Sequence, residues 1–444
     1  MQVLLMMAPT GMERHSVHSG GNYPIALAQI AAQIDPRHEV RGYDPDMERE
    51  HPDSLIRLLS DYKPQIVGIG FRIFDTTLSY EPRTYLPELE EVLRLIRRLV
   101  PSTIICLGGS GFSFFARPLM ERLTEVDVGF YLAGDTTFPA FVDDPRPRPD
   151  LPGILYREHG EVVSTGDPPV IPLDDLMVPN FDLFPVGRYI GEDPTAIGLE
   201  SKRGCRMKCI PCVYPFLMGN KTLSKSPDRV VREAAELVRR GVPSFFFLDS
   251  IFNLPHAHGR GIAEALREAR LPITWGAFFN ASRFDEATTR LYYEAGCRRF
   301  YFSFDGISPE AMRNWKRPVT WAQQCEGIRL VKRYPDTHVH VSFLFGSPGE
   351  GWRDLAAFPG MLAFLLRHGV TSLSLSFARI YPNTKLHEIA VAEGRVRPDD
   401  PLLNPAFYAP QPSKLAAIWF HPLCRMVHAT SRLRTALRRK LTGG

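Results

Sequence analysis

Three of the seven cysteines in this 444-residue chain lie close together. Cys205, Cys209 and Cys212 fall in the segment GCRMKCIPC (204–212), directly after an apolar stretch that is typical of a β-strand. Cysteine thiolates are the usual protein ligands of iron–sulfur clusters. Three of them would bind three irons of a [4Fe–4S] cubane and leave the fourth iron open. The spacing therefore predicts a cluster that can accept a further ligand.

A structural zinc ion is the alternative use of these thiols. Zinc in such sites takes four ligands in a closed tetrahedron. The nearby sequence supplies no fourth cysteine, and no histidine follows the three cysteines until His256. An odd number of cysteines with three of them clustered is also a poor disulfide framework. We favour the cluster and retain zinc as the alternative.

The elements that would position these cysteines form two series of alternating strands and helices, as in an α/β protein. Strand candidates of the first series are 3–7, 39–43, 65–71, 103–107 and 129–133; those of the second are 196–200, 244–249, 273–279, 299–305, 338–346 and 372–381. Alternation of this kind predicts parallel sheets covered by helices. Ligands of such sheets bind beyond the carboxyl ends of the strands.

The first series predicts a Rossmann-like (flavodoxin-like) parallel sheet domain over residues 1–145. A proline-rich linker is expected at 146–194, because proline removes a backbone donor and disfavours helix before it. The second series predicts a partial (β/α)6 barrel of the TIM type at 195–400, with its active face at the strand ends. Residues 401–444 are expected to form a C-terminal cap and a basic, solvated tail.

Composition excludes several classes of protein. Hydrophobic residues make up 44% and charged residues 23% of the chain, which is typical of a globular protein. A formal net charge of +4 is too small to indicate a nucleic-acid binder. No apolar run approaches the roughly 18 residues that a membrane span needs. We expect a cytoplasmic protein without a transmembrane segment.

The cysteine segment RGCRMKCIPC (203–212) resembles the cluster loop of the radical S-adenosylmethionine (SAM) superfamily. Over roughly residues 1–410, the chain is most similar to the subgroup that has an N-terminal cobalamin (B12)-binding domain. The other segments that carry this likeness are FFFLDSIFNLP (245–255), FYFSFDGIS (300–308), FLFGSPGE (343–350), ARIYPNTKLHEIA (378–390) and LLNPAFYAP (402–410).

Polar and glycine residues at the predicted strand ends are the candidates for binding SAM. Asp249 and Asn253 would hold its amino group or a substrate, Ser303 and Asp305 suit a ribose or amino-acid group, and Gly346, Gly349 and Glu350 end the strand that would approach adenine. Tyr214 resembles the aromatic residue that shields the cluster and packs on adenine in this superfamily. The alternative for the Asp and Asn residues is that they only cap the following helices.

The first domain resembles cobalamin-binding domains in strand order and in the segments VGIGFRIFDTT (67–77) and LGGSGFSFF (107–115). The motif D-x-H-x-x-G, which supplies a histidine to cobalt, is absent. Gly108 and Gly109 follow a buried strand, where a cofactor tail could lie on bare backbone. Arg72 would lie beneath the corrin ring, and the first loop, 9–24, would cover the cofactor.

The resemblance implies a cobalamin-dependent radical SAM enzyme that methylates an unactivated carbon of a small molecule or natural-product intermediate. Its cofactors would be a [4Fe–4S] cluster, SAM and cobalamin, and its partner an electron donor such as flavodoxin or ferredoxin. A radical SAM cyclase, rearrangement enzyme or other enzyme that forms carbon–carbon bonds is the first alternative. A non-catalytic iron–sulfur or zinc protein is the second.

Overall fold

The computed structural model describes residues 1–10, 23–51, 53–77, 79, 81–190, 196–370, 372–415, 418 and 422. Its strands are β1 Gln2–Met7, β2 Glu39–Tyr43, β3 Ile66–Gly70, β4 Ile104–Gly108, β5 Val128–Phe130, β6 Ile154–Glu158, β7 Glu161–Ser164, β8 Gly198–Leu199, β9 Lys202–Gly204, β10 Thr222–Ser224, β11 Ser244–Phe247, β12 Thr274–Phe279, β13 Cys297–Ser303, β14 His338–Phe345, β15 Ser372–Arg379 and β16 Phe407–Tyr408.

The α-helices are α1 Ile25–Ala31, α2 Ser54–Tyr62, α3 Leu86–Leu99, α4 Ser110–Phe114, α5 Ala116–Arg122, α6 Thr137–Asp143, α7 Tyr214–Met218, α8 Pro227–Arg239, α9 His256–Ala269, α10 Glu286–Glu294, α11 Pro309–Asn314, α12 Trp321–Val331, α13 Trp352–Arg367 and α14 Lys385–Ala392. No helix among the described residues is long and apolar enough to cross a membrane. Most of loop 9–24 and most of the basic tail lie outside the described residues.

The first sheet has seven strands in the order β2-β1-β3-β4-β5-β6-β7. Its first five strands are parallel, as the sequence predicts for a Rossmann-like domain. Their residues are mostly buried because helices cover both faces. In α3 the buried residues Leu86, Leu89, Leu93 and Ile96 recur at steps of three and four, so one face of the helix packs on the sheet.

Strands β6 and β7 differ from the prediction, because they lie in the segment assigned to the linker. β6 pairs antiparallel with β5, and β7 pairs antiparallel with β6, so the first sheet continues past position 145. Ile154, Leu155 and Tyr156 are buried there. The prolines on both sides of this short hairpin obscured its apolar pattern. A linker therefore describes only the residues beyond β7.

The second sheet has the order β16-β15-β14-β13-β12-β11-β8. Six of its strands are parallel, which confirms the predicted partial barrel of six βα units. The short strand β16 adds antiparallel to β15, within the region predicted to be a C-terminal cap. A separate ribbon of β9 and β10 leads directly into the cysteine loop. The cysteines thus follow the first barrel strand closely.

The two domains are joined by a buried ion pair and by further polar contacts, as well as by the chain. Asp75, just after β3, forms an ion pair with Arg379 of β15 at 2.8 Å, and both side chains are almost completely buried. Ser79 donates its backbone N–H to Ser376 Oγ at 3.1 Å. Ser376 in turn donates to the Thr77 carbonyl at 2.7 Å. These bonds hold the carboxyl end of β3 against the last parallel barrel strand.

Candidate active site

The cysteine loop lies between the ribbon β9–β10 and helix α7. Cys205 and Cys209 are buried, and Cys212 is half-buried. Two backbone hydrogen bonds fix the middle of the loop, from Ile210 N to the Trp315 carbonyl at 3.1 Å and from Leu386 N to the Ile210 carbonyl at 3.1 Å. The loop is therefore held by segments that follow the fourth and sixth parallel strands of the barrel.

The thiols lie near enough to influence one another. Burial, together with the neighbouring Cys209 and Cys205, raises the pKa of Cys212 to about 12, against the opposing effect of a hydrogen bond with the backbone of Tyr214. Burial also raises the pKa of Cys209, against the opposing effect of Arg317. Thiols bind metals as thiolates, so binding must release protons here. Such a loop suits a group that carries a high positive charge.

Among the described residues, no three His, Cys, Asp or Glu side chains are arranged around a single metal position. Each thiolate of a cubane binds a different iron atom, so its three sulfurs stand farther apart than the ligands of one ion. A closed zinc site would need four converging ligands. The donor set therefore fits a three-thiolate cubane better than it fits zinc.

Arg317 connects the cysteine loop to the end of β13. Its Nη1 lies 3.5 Å from Cys209 Sγ and 3.1 Å from Asp305 Oδ2. Nη2 donates to the Ser303 carbonyl at 3.3 Å. Ser303 and Asp305, both predicted site residues, are thus brought next to the cysteines. Ser303 Oγ also accepts a hydrogen bond from Ser342 Oγ at 3.1 Å, across to β14.

Asp249 and Asn253 are placed at the end of β11, as predicted, but their polar atoms are already bonded within the protein. Asp249 accepts from the backbone N–H groups of Ser201 at 2.9 Å and Lys202 at 3.2 Å, and from Lys202 Nζ at 3.2 Å. Asn253 exchanges two hydrogen bonds of 2.8 Å with the backbone of Asn280. Both residues are buried and hold neighbouring strand ends in place.

The turn after β14 carries the last group of predicted residues. Glu350 accepts hydrogen bonds from Gly346 N at 2.9 Å and from Ser413 Oγ at 2.6 Å, and burial raises the pKa of its carboxyl. Gly346 has a φ of 81°, and a Cβ there would lie 2.8 Å from the Tyr408 carbonyl. Gly349 also has a positive φ, of 78°. The space that a side chain at position 346 would need is therefore taken by the segment that follows the barrel.

A chamber of about 400 Å³ lies between the carboxyl end of the first sheet and the elements β9 and α7, which flank the cysteine loop. Its inner end is mostly apolar and reaches Leu5, Leu27 and Phe138 in the first domain. Its floor includes the glycines Gly68, Gly70, Gly108 and Gly109, whose missing side chains expose the backbone. A long ligand could therefore lie along these strand ends with an apolar group inserted into the domain.

Arg72 and Tyr214 both line this chamber. Arg72 keeps accessible surface where it lines the chamber, and desolvation by the surrounding protein lowers its pKa, with Tyr214 opposing the effect. Burial raises the pKa of Tyr214. Gly109 has a φ of 100°, and a Cβ there would lie 2.9 Å from the Phe71 carbonyl. These predicted residues from two domains therefore meet around one space.

Arg203 is a charged residue of the chamber that sequence reasoning missed. It pairs with Asp135 from the first domain and, at 2.8 Å, with Glu200. Lys202, paired with Asp249, and Arg317 were missed as well. The signal available was the run KRGC (202–205), since two charges just before a buried cysteine must have partners.

Models of two known protein families match the two parts of the chain that form this site, the first domain and the barrel with its cysteine loop. The model of the radical SAM superfamily matches residues 199–362, and the model of the B12-binding domain matches residues 19–142. Together these matches cover more than half of the chain. They contain the cysteine loop and the glycine-lined part of the chamber.

Three curated relatives are informative. An uncharacterized methyltransferase of Pyrococcus horikoshii is 25% identical over 88% of this chain and 83% of its own length. Tryptophan 2-C-methyltransferase of Streptomyces laurentii is 25% identical over 68% of this chain. Anaerobic magnesium-protoporphyrin IX monomethyl ester cyclase of Cereibacter sphaeroides is 23% identical over 67% of this chain. The chain spans 61% and 49% of the length of the latter two.

Solved structures have the same fold. The radical SAM methyltransferase TsrM of Kitasatospora setae, with cobalamin and a [4Fe–4S] cluster bound, aligns with a TM-score of 0.74 at 22% identity, over 88% of this chain and 78% of that one. The cobalamin-dependent SAM radical enzyme OxsB, with aqua-cobalamin and SAM bound, also has a TM-score of 0.74, at 16% identity, over 94% of this chain and 65% of that one. Both confirm the predicted two-domain α/β architecture.

Proposed function

Because this chain belongs to the radical SAM superfamily and carries a B12-binding domain, we propose that it is a cobalamin-dependent C-methyltransferase. Its substrate would be a small molecule with an unactivated carbon as the methyl acceptor. The observation that carries this proposal is a chamber whose lining combines the glycine-rich strand ends with Gly204 and Tyr214, which flank the cysteine loop. Methyltransferases among the relatives support the reaction class.

The protein's own residues have separate tasks in this proposal. Cys205, Cys209 and Cys212 hold the cluster, and Tyr214 covers it from the chamber side. When bound, the reduced cluster supplies the electron that cleaves SAM to methionine and a 5′-deoxyadenosyl radical, and cobalamin supplies the methyl group. The apolar inner wall excludes water, which protects reactive species from side reactions.

SAM is proposed to lie over the carboxyl ends of the barrel strands. Ser303 and Asp305 beside the cysteine loop are the candidates for direct contact with it. Asp249, Asn253 and Glu350 are already bonded within the protein, which favours positioning tasks for them. Gly346 and Gly349 would give the turn after β14 its shape near the adenine.

Arg72 would contact the cobalamin held in the chamber, where its positive charge would favour methyl transfer. Its place in the chamber, beside Gly108 and Gly109, supports this arrangement. In an Arg72→Ala protein, the optical spectrum of bound cobalamin should change and methylation should fall. Arg83→Ala removes an exposed arginine from the same domain and should change neither. An unchanged cobalamin spectrum and full activity in the Arg72→Ala protein would contradict this role of Arg72.

Anaerobic reconstitution with iron, sulfide and hydroxocobalamin tests the proposal as a whole. We expect a cluster spectrum, a cobalamin spectrum and reductive cleavage of SAM to 5′-deoxyadenosine. Serine at Cys205, Cys209 or Cys212 should abolish the cleavage while the chamber keeps its cobalamin. Protein that binds zinc in place of the cluster, or that binds no cobalamin, contradicts the proposal.

The relationship to a cyclase makes a cyclisation or another carbon–carbon bond formation the second candidate. The mass of the product separates the two, because methylation adds one CH2 unit to the substrate and cyclisation does not. A flavodoxin or ferredoxin as electron donor and a cytoplasmic location complete the proposal. Reduction of the cluster by purified flavodoxin in place of dithionite tests the donor.

A further inference from the structure

Arg317 is a buried cation that contacts the cysteine loop directly. Only 9% of its side chain is exposed. Nη1 points to Cys209 Sγ at 3.5 Å, and the Asp305 carboxylate, 3.1 Å away, balances the charge. Its Nε is buried and finds no hydrogen-bond partner among the described residues. The guanidinium thus retains donor capacity beside the sulfur that would bind the cluster.

Hydrogen bonds fix the backbone around Arg317, so its side chain extends towards Cys209 from a segment that is itself held in place. Arg317 N donates to the Met312 carbonyl at 3.2 Å, and Trp315, fully buried, accepts from Ile210 N of the cysteine loop at 3.1 Å. Lys316 between them has a φ of 54°. The segment 315–317 therefore holds the loop at two successive points, Cys209 and Ile210.

We propose that Arg317 is a positioning residue that sets the reduction potential of the cluster through a charged hydrogen bond to the Cys209 thiolate. This inference rests on the cluster of the proposed function and goes beyond it. Reduction adds a negative charge to the cluster, and a buried cation nearby stabilises that charge. Hydrogen bonds to cluster sulfurs are among the factors that set such potentials. Arginine stays charged at every working pH.

The Asp305 carboxylate opposes the effect of Arg317 on the reduction potential, so substitutions at the two positions should shift the potential in opposite directions. This carboxylate offsets the positive charge of Arg317 at the same point. An Asp305→Asn side chain keeps the shape of the carboxylate and tolerates the φ of 40° found there. Loss of the negative charge should make the cluster easier to reduce. Removal of the Arg317 charge should make it harder to reduce.

The experiment is a redox titration of the reconstituted cluster, followed by electron paramagnetic resonance, without SAM or substrate. In Arg317→Met we expect a midpoint potential more negative than that of the wild type, and in Asp305→Asn a less negative one. Arg317→Lys, which keeps the charge, should lie between wild type and Arg317→Met. Iron and sulfide contents measured on each sample establish that a full cluster is present.

Arg313→Met is the matched control, because it removes an arginine four positions earlier that is exposed and pairs with the exposed Glu310. It should leave the midpoint at the wild-type value. A wild-type midpoint in fully loaded Arg317→Met overturns the proposal, and so does an equal shift in Arg313→Met. If Arg317→Met does not load, the signs of the shifts in Arg317→Lys and Asp305→Asn decide. Failure of the wild type to load a cluster would instead count against the proposed function.

Discussion

The buried ion pair between Asp75 and Arg379 should control how firmly the two domains are joined. Asp75 is 0% exposed and Arg379 is 2% exposed, and their atoms are 2.8 Å apart. Tyr381 donates a second hydrogen bond to Asp75 at 3.3 Å, and Arg379 donates to the Leu402 carbonyl at 2.7 Å. Burial raises the pKa of Asp75, against the opposing effects of Arg379 and Tyr381.

Asp75→Ala leaves the Arg379 charge buried without its partner. Removal of one member of a buried pair costs about 3–5 kcal/mol. For a chain of this size, with an unfolding entropy of roughly 2 cal/mol/K per residue, that corresponds to a fall in Tm of about 3–5 °C. Since a two-domain protein need not unfold in one step, the assay is calorimetry together with a urea transition followed by circular dichroism.

The double variant Asp75→Leu with Arg379→Met separates charge burial from packing. Apolar replacement of both partners of a buried pair is often neutral or stabilising, so most of the lost Tm should return. Glu264→Gln, which removes an exposed i,i+4 pair with Arg260, is the control and should cost at most about 0.5 kcal/mol. A Tm for Asp75→Ala within about 1 °C of the wild type would refute this reasoning.

Two further predictions concern single buried positions. Burial raises the pKa of Asp44 from 3.8 to about 6, against a hydrogen bond from Tyr189, so this group contributes stability below about pH 4 that is lost as the pH rises to about 6. In urea titrations, the free energy of unfolding of the wild type minus that of Asp44→Asn should fall by about 3 kcal/mol between pH 4 and pH 7. A difference that does not change with pH contradicts the raised pKa of Asp44. Gly109→Val should lower the free energy of unfolding by about 1–3 kcal/mol and weaken cobalamin retention on gel filtration, because the side chain would meet the Phe71 carbonyl at a φ of 100°. Gly187→Val, where nothing lies within 4 Å, should do neither, and equal effects would rule out strain at Gly109 as the cause.

Local patterns explain what the sequence predicted well. The spacing of the cysteines reflects one loop, and the periodic leucines of α3 reflect one helix, so each could be recognised without knowledge of distant partners. The six parallel barrel strands followed from apolar runs separated by helical patterns. The hairpin β6–β7 was missed because it lies among prolines, which the sequence analysis interpreted as a linker.

Partners far apart in sequence account for the rest. Arg203 and Asp135 are 68 positions apart, and Asp75 and Arg379 are 304 positions apart, so nothing near either residue indicates the pair. Asp249 has the same appearance in sequence whether its carboxylate faces a ligand or binds Ser201 and Lys202, as it does here. Only the three-dimensional structure distinguishes a residue that could contact a cofactor from one whose polar atoms are bonded within the protein.

The chamber has a consequence for the production of this protein in cells. A ligand that enters this space of about 400 Å³ would bury the apolar surface at its inner end, which favours the folded state. A ligand that binds only the native state stabilises it by RT ln(1 + [L]/Kd). The yield of folded chain should therefore follow the vitamin supply of the host, so growth medium and cobalamin uptake become determinants of solubility.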